Sequence, residues 1–189
     1  MIVGVLALQG AFAAHIEKLA GLGVQTREVR LPEHMDDVDA LVMPGGESTT
    51  MSMLLESSGL FSVIEERLGE EMAVFGTCAG MILLAEEVLD GRSDQRSFGR
   101  LDITVQRNGY GRQVDSFETS LAIDGLEDDA HGVFIRAPRI VESGPSVKVL
   151  ASARGDGVLV QQGNALAASF HPELSQDDRI HRLFLESVA

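Results

Sequence analysis

Val74-Phe75-Gly76-Thr77-Cys78-Ala79-Gly80-Met81-Ile82-Leu83-Leu84-Ala85 is an apolar run that breaks at Gly-x-Cys-x-Gly and resumes as a helix-like segment. A buried strand, a turn of small residues and a helix in succession are the repeating unit of a parallel α/β sheet. The turn holds the chain's single cysteine. Small residues on both sides let the backbone reverse sharply, so that the side chain between them is held up and exposed in the manner of a nucleophile elbow. A thiol there stands at a helix N-terminus, where the dipole and free N–H groups favour the thiolate. The Ala79 N–H is then placed to bind the oxyanion formed when sulfur attacks a carbonyl. Taken alone, Cys78 reads equally well as a small buried hydrophobe.

Outward from the elbow, the same alternation recurs. Residues 2–8 read as a strand buried on both faces, and Phe12 to Leu22 place apolar groups at helical spacing until Gly21 and Gly23 end the run. Val24 to Val29 and Val38 to Met43 read as the second and third strands. The third closes at Pro44-Gly45-Gly46, after which Ser48 is the expected cap of a helix running through Leu55. Phe61 to Leu68 reads as helix and Met72 to Phe75 as the fourth strand. From Leu101 to Phe170 the helical signal gives way to short alternating segments at 101–106, 133–136, 147–152, 158–161 and 165–170, expected as further, partly antiparallel strands. A closing helix spans Asp177 to Val188. The expected fold is α/β in three layers: a mostly parallel central sheet, helices on both faces and an antiparallel C-terminal extension. In such sheets sites gather at the carboxyl ends of the strands, where Gly45-Gly46 and Cys78 both fall.

The 189 residues, 44% of them hydrophobic, suffice for one substantial core, and no linker or low-complexity tract divides them, so residues 1–189 read as one domain. A net charge of -14 excludes the basic face that nucleic acid or an anionic membrane demands. One cysteine permits no internal disulfide framework, and Met1 to Leu8 is too short an apolar run to cross a bilayer. A cytoplasmic protein is the expectation.

A thiol nucleophile needs a base, and the base an orienting partner. Of the five histidines, His15 and His181 fall in helical segments and His34 and His131 in turns, with surface or structural roles expected for all four. His171 stands instead in Ser169-Phe170-His171-Pro172-Glu173 at the end of an apolar segment. The proline keeps His171 extended, and residues two apart in extended chain share a side, so Glu173 can reach the imidazole while its other nitrogen faces Cys78. A strand-end turn with a solvated glutamate is the alternative on spacing alone.

Gly76-Thr77-Cys78-Ala79-Gly80 followed late by His171-Pro172-Glu173 resembles the Cys-His-Glu triad of class I glutamine amidotransferases. Leu8-Gln9-Gly10, Pro44 to Thr50, Arg107-Asn108-Gly109-Tyr110-Gly111-Arg112-Gln113 and Gly132 to Pro138 narrow the resemblance. Together, in order over nearly the whole chain, they are similar to the glutaminase-subunit family of pyridoxal 5′-phosphate synthase, with Tyr110 where phenylalanine is usual. The resemblance implies hydrolysis of L-glutamine to glutamate and ammonia through a thioester on Cys78. His171 would serve as general base and acid, and Glu173 would hold the imidazolium. It implies an oxyanion site built from the Ala79 N–H and a backbone N–H of the Gly45-Gly46 turn. The implied glutamine-binding set is Gly46, Glu47, Ser48, Arg107, Ile135 and Arg136, an arginine suiting a carboxylate and the Ile135 carbonyl an ammonium. No metal and no cofactor is implied.

The implied partner is a (βα)8-barrel synthase subunit, in a large hetero-oligomer, that builds pyridoxal 5′-phosphate from ribose 5-phosphate and glyceraldehyde 3-phosphate and receives the ammonia directly. The expected docking face includes the first helix and the Gln9-Gly10 loop, with low activity until the partner docks. Three alternatives share parts of the pattern. Another amidotransferase glutaminase would keep the triad without the two specific segments, whereas an elbow-cysteine hydrolase of related fold carries histidine where Ala79 stands. A non-catalytic regulatory subunit tends to lose a triad member.

Overall fold

The computed structural model describes residues 1–110 and 116–188. Gly111, Arg112 and Gln113, which carry part of the resemblance, lie outside the described residues. The chain opens β1 (Ile2–Leu6), α1 (Phe12–Gly21), β2 (Gln25–Val29), β3 (Ala40–Met43), α2 (Ser48–Ser57), α3 (Leu60–Gly69), β4 (Ala73–Thr77) and α4 (Ala79–Leu84). Strands follow as β5 (Ala85–Val88), β6 (Leu101–Gln106), β7 (Phe117–Leu121), β8 (Ala130–Phe134), β9 (Arg139–Ser143), β10 (Lys148–Ala153), β11 (Asp156–Gln162) and β12 (Ala165–Ala168), before α5 (Arg179–Glu186).

Seven strands form the central sheet in the order β10-β11-β12-β4-β3-β1-β2. β2, β1, β3, β4 and β12 run parallel, while β11 is antiparallel to β12 and β10 to β11. The pleat explains why the sequence shows apolar runs rather than alternation. Val3, Val5, Ala40, Val42, Ala73 and Phe75 face a core shared with Leu19 of α1 and with Ile180 and Phe184 of α5. Their neighbours Leu6, Leu41, Met43 and Val74 face the opposite core, against Met51 and Leu55 of α2, Phe61 and Ile64 of α3 and Met81 of α4. A strand covered on both faces has no polar side to show. The three-layer α/β expectation is met, with two additions: a three-stranded sheet β5-β6-β9 and a β7-β8 hairpin.

Several boundaries differ from the sequence reading. The first strand stops at Leu6 rather than residue 8, because the chain turns away to bring Gln9 and Ala11 onto the Gly45-to-Glu47 turn, where Ala11 N–H donates to the Gly45 carbonyl at 3.1 Å. The helix after the elbow ends at Leu84, and Ala85–Val88 pairs in parallel with β6, a long-range pairing with no local signal. β7 and β9 were not separately legible either, since each of these five-residue strands shows one face to solvent beside loops. The cap of α2 is Glu47, not Ser48. Glu47 is extended and its carboxylate accepts from the N–H groups of Thr49 and Thr50, which makes Ser48 the first helical residue.

Candidate active site

The carboxyl ends of β3, β4 and β12 converge on one place. β12 pairs with β4 in parallel so that Ala168 lies beside Thr77, and Cys78 N–H donates to the Ala168 carbonyl at 2.8 Å. Cys78 sits at φ 50°, ψ -104°, a conformation that costs a side-chain-bearing residue of order 1–3 kcal/mol. The strain lifts the sulfur out of the strand-to-helix turn, yet the residue is only 7% exposed. Three residues beyond β12, His171 is anchored by its N–H to the Val133 carbonyl of β8 at 2.8 Å.

The His171–Glu173 contact has a different origin from the one the sequence suggested. His171 leaves β12 at φ -108°, ψ 83°, but Pro172–Leu174 then form one turn of 3₁₀ helix with Pro172 at its start. That turn, not continued extended chain, swings Glu173 back, and its Oε1 lies 2.7 Å from His171 Nδ1. Burial alone would push the imidazole pKa down. The nearby Cys78 sulfur and the Glu173 carboxylate, hydrogen-bonded to the ring, outweigh it and raise the pKa. Burial likewise opposes the Glu173 charge, but the His171 hydrogen bond holds its pKa below the ordinary carboxylate value.

Over the sulfur opens a cavity of about 340 Å³ whose walls include Gly45, Gly46, Glu47, Ser48, Arg107, Ile135 and Arg136. The Ile135 carbonyl oxygen is 4.0 Å from Cys78 Sγ. A Cβ on Gly45 would sit 2.5 Å from His171 Cε1, so only glycine lets this turn close over the ring. The Gly45 carbonyl faces the Ala11 N–H, and the Gly46 N–H, on the opposite side of that trans peptide, faces away from it. Arg107 is engaged from the cavity wall, donating to Glu47 Oε1 at 2.8 Å, Thr49 Oγ1 at 2.9 Å and Gln95 Oε1 at 3.2 Å. Arg136 is exposed, with its backbone in the left-handed region at φ 46°.

The sequence model of the SNO glutamine amidotransferase family matches residues 5–189. The chain belongs to the SNO glutamine amidotransferase family. Proteins described as pyridoxal 5′-phosphate synthase subunit PdxT are similar to this family member along its whole length. The one from Corynebacterium jeikeium is 51% identical over 189 residues, covering 100% of this chain and 97% of that protein. The one from Thermotoga neapolitana is also 51% identical, covering 100% of both. A crystal structure of a glutamine amidotransferase, 49% identical, superposes with a TM-score of 0.94 over 100% of this chain and 99% of the other. A glutamine amidotransferase from Thermotoga maritima, 14% identical with a TM-score of 0.63 over 99% and 89% of the two chains, shares the fold alone.

In this SNO-family chain Cys78, His171, Gly45, Gly46, Glu47, Ser48, Arg107, Ile135 and Arg136 of the expected set line the cavity. Ala79 and Glu173 do not, Glu173 reaching it only through His171, and the structure adds neighbours that sequence reasoning missed. His15 and His181 are both fully buried behind Glu173. A signal for His15 existed: three residues after Phe12 and four before Leu19, it falls on the apolar face of α1. Gln95 had no such signal, whereas Gln9, singled out in Leu8-Gln9-Gly10, accepts from Glu47 N–H through its Oε1 at 2.9 Å, a contact its segment did not foretell.

The cap leads to a pH prediction. Burial works against charge on Glu47, but hydrogen bonds from Thr50 and Thr49 and the charge of Arg107 bring its pKa down to about 2 from 4.5. A lowered folded-state value means stabilisation present above pH 4.5 and lost as pH falls toward 2. Glu47→Gln is expected to cost about 1 kcal/mol at pH 7, the usual cost of a lost cap. Thermal unfolding of both proteins from pH 7 to pH 2.5 should show the gap closing below pH 4.5; a gap that persists at pH 2.5 would deny the carboxylate this role.

Proposed function

We propose that Cys78, His171 and Glu173 are the catalytic triad of a glutaminase, the chain forming a single glutamine amidotransferase domain over residues 1–189. The chain is the glutaminase subunit of pyridoxal 5′-phosphate synthase and hydrolyses L-glutamine to L-glutamate and ammonia. The observation that carries the triad reading is the meeting of an elbow cysteine and His171 at one cavity of about 340 Å³, with Glu173 Oε1 2.7 Å behind the imidazole Nδ1.

The chemistry follows from that line. The Cys78 thiolate, its proton held by His171, adds to the glutamine side-chain carbonyl. The resulting oxyanion is met by the Ala79 N–H at the start of α4 and by an N–H of the Gly45-Gly46 turn. The C–N bond breaks as His171 gives its proton to the departing nitrogen, leaving ammonia and a γ-glutamyl thioester. Water, deprotonated by His171, then adds to the thioester; the C–S bond breaks and glutamate leaves. Glu173 holds the imidazole tautomer and stabilises the imidazolium throughout.

For binding, Arg136 meets the substrate carboxylate, the Ile135 carbonyl accepts from substrate N–H groups, and Gly46, Glu47 and Ser48 with Arg107 form the facing wall. The engagement of Arg107 with Glu47 makes it a support for that wall, with Arg136 the arginine open to substrate. The synthase partner is a (βα)8-barrel subunit in a large cytoplasmic hetero-oligomer that consumes the ammonia directly. No helix among the described residues is long and apolar enough to cross a membrane.

Glutamate release should be measured with and without the synthase subunit. Strong stimulation by the partner is expected, and partner-independent full activity would count against the coupling. Glu173→Gln should lower kcat at least about a hundredfold, because an amide can hold the ring yet carries no charge to balance the imidazolium. An unchanged kcat would remove Glu173 from the triad.

A further inference from the structure

We propose that His15 is a positioning residue for the triad, directing its Nε2 hydrogen at the carboxylate oxygen of Glu173 that His171 does not use. The inference rests on the triad roles given above. Glu173 Oε1 is held by His171, but Oε2 is buried and makes no hydrogen bond of ordinary geometry. His15 Nε2 lies 3.4 Å from it and 3.1 Å from Thr77 Oγ1. His15 Nδ1 is 3.0 Å from His181 Nε2, whose own Nδ1 has no partner. Phe75 meets both imidazoles edge-on, with ring centres 6.2 and 5.7 Å away.

The proton arrangement can be decided by elimination. Burial dominates both rings, lowering the pKa of His15 to about 4 and of His181 to about 3, so at neutral pH each carries one N–H. In one arrangement His15 donates from Nδ1 to His181. That turns a bare Nε2 lone pair toward a carboxylate and leaves a buried N–H on His181 Nδ1 with no acceptor. In the other, His181 Nε2–H donates to His15 Nδ1, and the His15 Nε2–H points between Thr77 Oγ1 and Glu173 Oε2. The only unsatisfied atom is then a bare lone pair on His181, the cheaper defect. The hydrogens therefore point one way, from α5 through α1 to Thr77 Oγ1, with the same His15 N–H 3.4 Å from the triad carboxylate.

A neutral donor suits this place. An imidazolium at His15 would compete with His171 for the carboxylate, whereas a neutral N–H orients Glu173 and supports its charge without cancelling it. Orientation of a catalytic group by an outer partner is commonly worth about 10- to 100-fold in activity.

Two substitutions separate this role from simple packing. Asparagine places its amide near the Nδ1 position and cannot reach Glu173; glutamine places a donor near Nε2. With the synthase subunit present, His15→Asn is expected to lower kcat for glutamine hydrolysis by about tenfold or more, with KM changed less than about twofold, and His15→Gln to recover most of it. Wild-type kcat in His15→Asn would overturn the proposal. So would equal losses in both variants that track their thermal midpoints. Wild-type protein lacking Cys78-dependent hydrolysis would instead bring down the glutaminase reading itself. Independently of activity, nitrogen NMR of histidine-labelled wild-type protein should show Nε2–H tautomers for His15 and His181; an Nδ1–H at His15 would overturn the assignment.

Discussion

Cys78→Ala is expected to abolish glutamine hydrolysis, by about 10⁴-fold or more, while the protein remains folded. The sulfur forms the bond that divides the reaction into two displacements. Without it, His171 could act only as a base toward water, on a carbonyl held by the remaining binding groups. Groups that act as a unit lose nearly all their effect when the nucleophile goes, leaving what binding and the oxyanion donors provide. Stability should change little, because alanine meets the same backbone strain at φ 50° and the site lies under an open cavity rather than in a sealed core. Glutamate release by the variant with its synthase partner, together with its unfolding midpoint, measures both. Residual hydrolysis within tenfold of wild type would rule out a thioester on this cysteine.

Gly80→Ala carries the largest expected structural effect. A Cβ at Gly80 would lie 2.0 Å from the Met43 carbonyl oxygen and 2.8 Å from its carbon, atoms of β3 backbone that no side-chain rotation can move. α4 would have to back away from the sheet, taking Cys78 and Ala79 with it, while β3 pushed on Gly45-Gly46. Overpacking of this kind costs about 3 kcal/mol, roughly a 6–12 °C fall in midpoint for a chain of this size. Activity should fall with it, since the proposed oxyanion donors, the Ala79 N–H and the Gly45-Gly46 turn, flank the displaced contact. Gly69→Ala is the control. It closes α3 with nothing within 4 Å of its Cβ, and is expected to be neutral or slightly stabilising. Equal midpoints for the two variants would mean that the elbow does not depend on this approach.

What the sequence determined by itself was what near neighbours along the chain control. Runs of Val, Ile, Leu and Ala about five residues long, separated by helical spacing and Gly-rich turns, dictate strands buried on both faces. Gly76-Thr77-Cys78-Ala79-Gly80 dictates a tight strand-to-helix turn, because small residues there leave room for it. His171 and Glu173 are two apart, so their contact is close to a local property, even though a 3₁₀ turn rather than an extended chain delivers it.

Tertiary structure decided whatever joins distant parts of the chain. The cap of α2 passed from Ser48 to Glu47 because Arg107, 60 residues away, and Gln9, 38 residues before Glu47, fix that carboxylate and that N–H. β5 exists because β6 lies beside it. His15 and His181, 166 residues apart, became inner groups of the site only when α1 and α5 packed on the same face of the sheet. A helix pattern tells that a histidine is covered, but not by what. The carboxylate it meets is selected by how the layers stack, and no short window of sequence contains both partners of that contact.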